Sequence, residues 1–221
     1  MILKAVLFDL DGTLLDTQAD FALVLNRLLA AEGRPAVDPQ RLQENVSDGA
    51  RAMLKLGFDL ADDAPEFAPL MQRFLDGYEQ QHSAAQLYEG VPELLAALDA
   101  APLPWGIMTN KPRRFSRLLL PRFPSFAHCG SLVCPDDVGN QGKPNPAGLL
   151  RACSELAIAP EHCVYVGDHP RDMDAARNAG MSSIAAAWGY LPRGEKPEHW
   201  GANFVAADPW ALCAYLVAME K

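Results

Sequence analysis

Asp9 and Asp11 stand one residue apart, directly after the unbroken apolar run Ala5-Val6-Leu7-Phe8, and Gly12-Thr13 follow them. Two carboxylates this close repel one another unless a cation or a shared proton relieves them. A hard divalent ion such as Mg2+, which prefers oxygen ligands, is the obvious relief. Three later segments carry complementary groups. They are Thr109-Asn110, Lys143-Pro144, and Gly167-Asp168 with Asp172. Together the four places offer a carboxylate nucleophile, a hydroxyl donor, a fixed cation and further metal-binding carboxylates. Cleavage of a phosphate ester needs such a set.

The elements that must position these groups follow from periodicity. Residues 5–8 read as a strand buried on both faces of a parallel sheet, and Gly12 lets the chain turn sharply away from its end. From about residue 17 to residue 81 the pattern is helical, with Phe21, Val24, Leu25, Leu28 and Leu29 on one stripe. Further helices are expected at 39–46, 49–56 and 66–81. The breaks between helices fall at Gly33-Arg34-Pro35, Gly57 and Asp62-Asp63-Ala64-Pro65. From Pro92 onward helices and strands alternate: helix 93–99, strand 105–108, helix 112–120 with Pro112 opening it, strand 131–134 and helix 147–156. Strand 163–166 follows, then helix 171–179 closed by Gly180, and short strands at 183–187 and 204–205. The predicted fold is α/β: a doubly wound, Rossmann-like parallel sheet core (1–15 and 84–221) with an inserted all-helical domain (16–83). Strand ends of a parallel sheet converge, so the four chemical segments share one address.

Bulk properties narrow the partners. The chain of 221 residues carries a formal net charge of −9 and no Lys/Arg run, which argues against nucleic acid or an anionic membrane. No stretch reaches the roughly 18 apolar residues of a spanning helix, and residues 1–4 lead into the first strand without a signal-peptide pattern. Cys129, Cys134, Cys153, Cys163 and Cys213 are odd in number and form no C-x-x-C pair, so free thiols are expected. Cys129, Cys134 and His128 fit no zinc spacing, and His82, His162 and His199 show no ligand spacing either. The expectation is a cytoplasmic protein, a monomer by default with a homodimer left open, acting on a small phosphorylated metabolite.

In this order, DxDGT at 9–13, (S/T)N at Thr109-Asn110, KP at Lys143-Pro144 and GDxxxD at 167–172 resemble the four motifs of haloacid dehalogenase-like phosphatases. The helical gap after the first motif resembles the helical cap of that family. Thr109-Asn110-Lys111-Pro112, Lys143-Pro144-Asn145-Pro146 and residues 175–180 are similar to its phosphoglycolate phosphatase group. Ser47-Asp48-Gly49-Ala50-Arg51, Cys134-Pro135-Asp136 and His199-Trp200-Gly201-Ala202 are similar to bacterial N-acetylmuramic acid 6-phosphate phosphatases.

The resemblance implies a Mg2+-dependent phosphomonoester hydrolase working through an aspartyl phosphate, phosphoglycolate phosphatase-like first and N-acetylmuramic acid 6-phosphate phosphatase as the alternative. Asp9 would be the nucleophile. Asp11 would protonate the leaving alkoxide and later deprotonate water. Mg2+ would take a carboxylate oxygen of Asp9, the backbone carbonyl of Asp11 and the carboxylate of Asp168. Thr109 and the Asn110 backbone would bind phosphoryl oxygens, Lys143 would neutralise the phosphoryl group and hold Asp9, and Asp172 would hold a metal-bound water or Lys143. His169 stands where many relatives carry Ser, which leaves its role open. In the insert, Arg51 is the candidate for contacting the substrate's non-phosphate end, against the alternative of a solvated surface arginine.

Bland readings compete with these. Asp11-Gly12 is by itself a common turn pair, and Thr109-Asn110 by itself a helix cap. Gly142-Lys143 fails as a phosphate-binding P-loop because Asp137 stands where the first Gly belongs and Pro144 replaces Ser/Thr. Two enzymes of other classes use the same aspartate. A β-phosphoglucomutase-type isomerase would return the phosphoryl group to its substrate. A haloacid dehalogenase would work without metal, and Asp11, Lys143 and Asp168 together speak against it.

Overall fold

The apolar run at the start becomes β1 (Ala5–Phe8), four residues with no exposed surface. The computed structural model describes residues 2–61, 63–81, 84–101 and 103–219. Around β1 lie β4 (Trp105–Met108), β5 (Leu132–Val133), β6 (Cys163–Gly167), β7 (Ser182–Ala186) and β8 (Phe204–Ala206). They form one sheet in the order β5-β4-β1-β6-β7-β8, every pair parallel. β1 sits between β4 and β6, with Leu7 opposite Gly106 on one side and Tyr165 on the other. A parallel sheet needs crossovers, and α5 (Val91–Ala100), α6 (Arg113–Leu119), α7 (Ala147–Leu156) and α8 (Pro170–Ala179) lie in these, while α9 (Pro209–Met219) follows the last strand. One side of the core is packed by Ala5, Leu7, Met108, Leu149, Tyr165 and Ala176.

The chain divides into two units, one of Met1–Leu15 with Leu87–Lys221 and one of Asp16–Gln86. Two two-residue strands, β2 (Leu15–Asp16) and β3 (Gln86–Leu87), pair where the chain passes from one to the other. The expected boundary at 83/84 falls partly on Ser83, and Asp62 and His82 also lie outside the described residues. The second unit contains α1 (Gln18–Ala31), α2 (Pro39–Gln43), α3 (Gly49–Phe58) and α4 (Phe67–Gln80). Its centre is aromatic: Phe21 lies 4.6 Å from Tyr78 and 6.0 Å from Phe74 between ring centroids. Buried Asp20 accepts the backbone N–H groups of Ala84 and Ala85.

Three local expectations are corrected. Gly57 does not break α3, which runs on to Phe58; a Cβ there would lie 2.9 Å from Leu25 Cδ1, so the glycine is what lets α3 lie against α1. Pro112 caps α6 with an extended ψ of 143° and is not its first helical residue; the Arg113 N–H finds its acceptor in Asp136. The strand expected at 131–134 shortens to Leu132–Val133 because the Cys134 N–H turns to Asp137 Oδ2, which caps the next turn. Among the described residues no helix is long and apolar enough to cross a membrane.

Candidate active site

Within the first unit, the ends of β1, β4 and β6 and the loop before α7 bring eight of the nine residues singled out by sequence into one neighbourhood. Lys143 is the hub. Its buried ammonium lies 2.7 Å from Asp9 Oδ2 and 2.7 Å from Asp172 Oδ1, and donates to the Tyr165 hydroxyl at 2.9 Å. Tyr165 in turn donates to the Met108 carbonyl at 2.7 Å. Two ion pairs and one hydrogen bond thus hold the ammonium in space. The Leu10 N–H donates to the other oxygen of Asp9 at 2.7 Å, so the plane of that carboxylate is held from both sides. Asp172, fully buried in the first turn of α8, accepts the His169 N–H through Oδ2. His169 itself caps α8, its Nδ1 accepting the Arg171 N–H at 3.2 Å.

Asp168 is gripped through both of its oxygens. Its Oδ1 accepts the Thr13 hydroxyl at 3.1 Å and its Oδ2 the Tyr190 N–H at 2.8 Å. Two glycines permit that grip. Gly12 has φ +84°, and a Cβ on it would fall 2.1 Å from Asp168 Oδ2. A Cβ on Gly189 would fall 2.2 Å from the Gly12 carbonyl oxygen and 2.4 Å from Asp168 Cβ. The Trp188 indole N–H donates to the Thr13 carbonyl and ties the loop after β7 to the loop after β1.

On the β4 side, Thr109 is buried and its Oγ1 accepts the Lys111 N–H at 3.1 Å. A hydroxyl that accepts keeps its own proton to donate. The Asn110 side chain spans to the Lys143 backbone, accepting its N–H at 2.7 Å, and so buttresses the loop that carries the hub. The Lys111 ammonium approaches both oxygens of Asp11, at 3.0 and 3.2 Å.

The charge balance of this neighbourhood is lopsided. One ligand oxygen each from buried Asp9, Asp168 and Asp172 lies within 4.8 Å of the others, and Lys143 is the buried cation among them. Burial drives the Asp168 carboxyl well above the usual carboxylate range, and the charges of Asp9 and Asp172 push it further the same way. Asp9 is also raised, first by burial, against the opposing pull of Lys143. Burial alone would lower the Lys143 ammonium, but Asp172 and Asp9 overcome it and hold it above its ordinary value. Three carboxylates so placed fit an oxygen-seeking divalent cation, which would remove the excess negative charge.

Sequence reasoning missed Tyr165, Lys111 and the segment Trp188-Gly189-Tyr190. Tyr165 is the one polar-tipped residue of an otherwise apolar strand, and Lys111 directly follows Thr109-Asn110; both signals were visible but unspecific. Arg51 is the ninth residue. It lies in the helical unit, in the first turn of α3, with its guanidinium 4.7 Å from the Phe67 ring centroid.

Residues 6–186, from β1 to the end of β7 and including both lysines and all four aspartates of the site, match the family model of haloacid dehalogenase-like hydrolases. The chain belongs to the haloacid dehalogenase-like hydrolases. An N-acetylmuramic acid 6-phosphate phosphatase of Pseudomonas aeruginosa is 47% identical over 214 residues, 96% of this chain and 94% of that one. A phosphoglycolate phosphatase of Xanthomonas campestris pv. campestris is 42% identical over 207 residues, 93% of each chain. Among solved structures, a haloacid dehalogenase family hydrolase of Deinococcus radiodurans R1 with bound phosphate and sodium is 28% identical, with a TM-score of 0.74, covering 98% of this chain and 96% of that one. This haloacid dehalogenase-like hydrolase is a phosphatase.

Proposed function

We propose that this phosphatase hydrolyses the phosphomonoester of N-acetylmuramic acid 6-phosphate in two steps through an aspartyl phosphate on Asp9, with Mg2+ as its cofactor. The observation that carries the mechanism is the Lys143 ammonium at 2.7 Å from both Asp9 and Asp172 in a buried, carboxylate-rich strand-end site. Asp9, Asp168 and the Asp11 backbone carbonyl are the groups we assign to the metal, with Asp172 behind them. When bound, Mg2+ supplies charge neutralisation at the phosphoryl oxygens and keeps the carboxylates ionised.

The chain's own groups do the rest. Asp9, aligned by Lys143 and the Leu10 N–H, forms a bond to phosphorus as the ester P–O bond breaks. Asp11 passes its proton to the departing alkoxide. Thr109 donates its hydroxyl to a phosphoryl oxygen, and Lys143 balances the transferring charge. In the second step Asp11 takes a proton from water, whose oxygen attacks phosphorus and breaks the bond to Asp9. Inorganic phosphate leaves and both aspartates return to their starting states.

The choice of substrate rests on the 47% identity to the P. aeruginosa N-acetylmuramic acid 6-phosphate phosphatase across nearly the whole chain. The 42% identity to a phosphoglycolate phosphatase keeps 2-phosphoglycolate as the second reading. We assign substrate selection to the helical unit, with Arg51 as its candidate residue for recognising the non-phosphate end. The five cysteines are free thiols, which suits a reducing cytoplasm. The test is phosphate release from both esters, and from p-nitrophenyl phosphate, with Mg2+. Asp9→Asn is expected to fold and release none; turnover near wild type in that variant would falsify the mechanism. Arg51→Ala is expected to raise KM for the preferred ester more than for p-nitrophenyl phosphate. Faster release from 2-phosphoglycolate than from the sugar ester would reverse the choice of substrate.

A further inference from the structure

Lys111 is a buried cation that the two-step scheme above does not use. Its side chain is 3% exposed, whereas that of its partner Asp11 is 22% exposed. The pair therefore presents its carboxylate outward and keeps its ammonium behind. Burying an ammonium is costly unless it is paired, so the approach to both Asp11 oxygens, at 3.0 and 3.2 Å, is a fixed feature of the local packing. Its own backbone is fixed too, because the Lys111 N–H donates to Thr109 Oγ1. One tripeptide after β4 thus sets both the phosphoryl-binding hydroxyl and the cation behind the proton-transfer group. An ammonium nearly equidistant from both oxygens anchors the head of the carboxylate in place. Direct recognition of the substrate by Lys111 is disfavoured by the same numbers, since the nearly inaccessible ammonium already faces Asp11.

We propose that Lys111 is the positioning residue for Asp11 and holds that carboxylate at the place where it exchanges its proton with the leaving oxygen and with water. The inference rests on the reading of Asp11 as the proton-transfer group. It separates the two halves of the reaction. An alkoxide needs a proton to leave, whereas p-nitrophenolate departs without one. Loss of alignment at Asp11 must therefore slow the first step for a sugar or alkyl ester more than for p-nitrophenyl phosphate. The second step is common to every substrate and must slow for all.

The experiment compares wild type, Lys111→Met and Asp11→Asn on p-nitrophenyl phosphate and on the better of N-acetylmuramic acid 6-phosphate and 2-phosphoglycolate. The parameter kcat/KM reports steps up to release of the first product. Lys111→Met is expected to lower kcat/KM for the sugar or alkyl ester about tenfold more than for p-nitrophenyl phosphate, a part of the ~10²–10⁴ that positioned proton transfer provides. With p-nitrophenyl phosphate, kcat is expected to fall more than kcat/KM, with a burst of p-nitrophenolate as phosphoenzyme accumulates. Lys111→Gln is measured the same way and stands in if the methionine variant does not fold. Selective loss in Asp11→Asn with an equal fall on both esters in the Lys111 variants overturns the inference and leaves the mechanism intact. No selectivity in Asp11→Asn overturns the mechanism itself.

Discussion

Lys143 is ion-paired with Asp9 and Asp172 and hydrogen-bonded to Tyr165, and only two of those partners carry charge. The phenol is what makes the third direction definite. Burial drives its pKa well above the ordinary tyrosine value, with the charges of Asp9 and Asp172 adding to the shift, so it stays protonated and donates onward to Met108. Tyr165→Phe keeps the ring and its packing but leaves a Lys143 N–H and the Met108 carbonyl facing a hydrocarbon edge. A buried group stripped of its partner costs about 1–3 kcal/mol, so the variant should melt several degrees lower while retaining its fold. Its kcat should fall roughly tenfold, less than the ~10²–10³ expected when a charge-stabilising group is itself removed. Thermal melting and steady-state kinetics check both numbers, and a Tyr165→Phe enzyme equal to wild type in both would remove the phenol from the site. The charged members of this cluster were legible in the sequence because carboxylates and an ammonium beside apolar runs have few bland explanations. Tyr165 was not, because an aromatic residue inside Cys163-Val164-Tyr165-Val166 is accounted for by burial alone.

At the scale of elements, the loop after β7 is a fifth strand-end contribution beside the four recognised by motif. Trp188 reaches back to the Thr13 carbonyl, the Tyr190 N–H holds Asp168, and Gly189 leaves room for Gly12 and Asp168 to approach. The hold on Asp168 comes from a main-chain N–H and the close approach from a glycine, so nothing in the composition of the segment announced it. β1 and β4 were legible to the residue, and β6 to within its last residue, Gly167, because strands buried on both faces leave few polar positions to blur their limits. Edge strand β5 was overestimated because its C-terminal N–H is taken by the side chain of Asp137, a competition periodicity cannot reveal. Gly189→Ala tests the fifth contribution. The added methyl would fall 2.2 Å from a backbone oxygen, which cannot rotate away as a side chain could, so Asp168 or the loop must move. Overpacking of this kind costs about 1–3 kcal/mol. The expected result is a lower melting temperature together with Mg2+ affinity weakened at least several-fold, read by calorimetric titration. Unchanged Mg2+ binding in a folded Gly189→Ala protein would show that the loop packs against Asp168 without positioning it.

At the scale of the whole molecule, the doubly wound core was legible because alternation of apolar runs and helical stripes constrains topology strongly. The roles proposed for individual site residues rest on resemblance, since spacing says which groups meet but not which of them accept protons or metal. The assembled charges carry a consequence for the stability of the chain as a whole. Asp168 and Asp9 have folded pKa values above their unfolded ones, with burial the first cause in each. A carboxyl group of that kind binds protons more tightly when folded. Its contribution to stability is therefore fully present below the unfolded pKa of about 4 and is lost as pH rises through the folded value. The metal-free protein should lose melting temperature as pH rises from mildly acidic toward 8. A cation held by the same carboxylates reverses the sign, because it favours the ionised forms and must compete with protons at low pH. At about 100 times its Kd, Mg2+ adds ~2.7 kcal/mol, or roughly 5–10 °C for a chain of this size. The difference between melting temperatures in Mg2+ and in EDTA should consequently be wide at pH 8 and narrow at pH 5. A gap that is equal at both pH values, or wider at pH 5, would mean that the buried carboxylates are not the groups that take the metal.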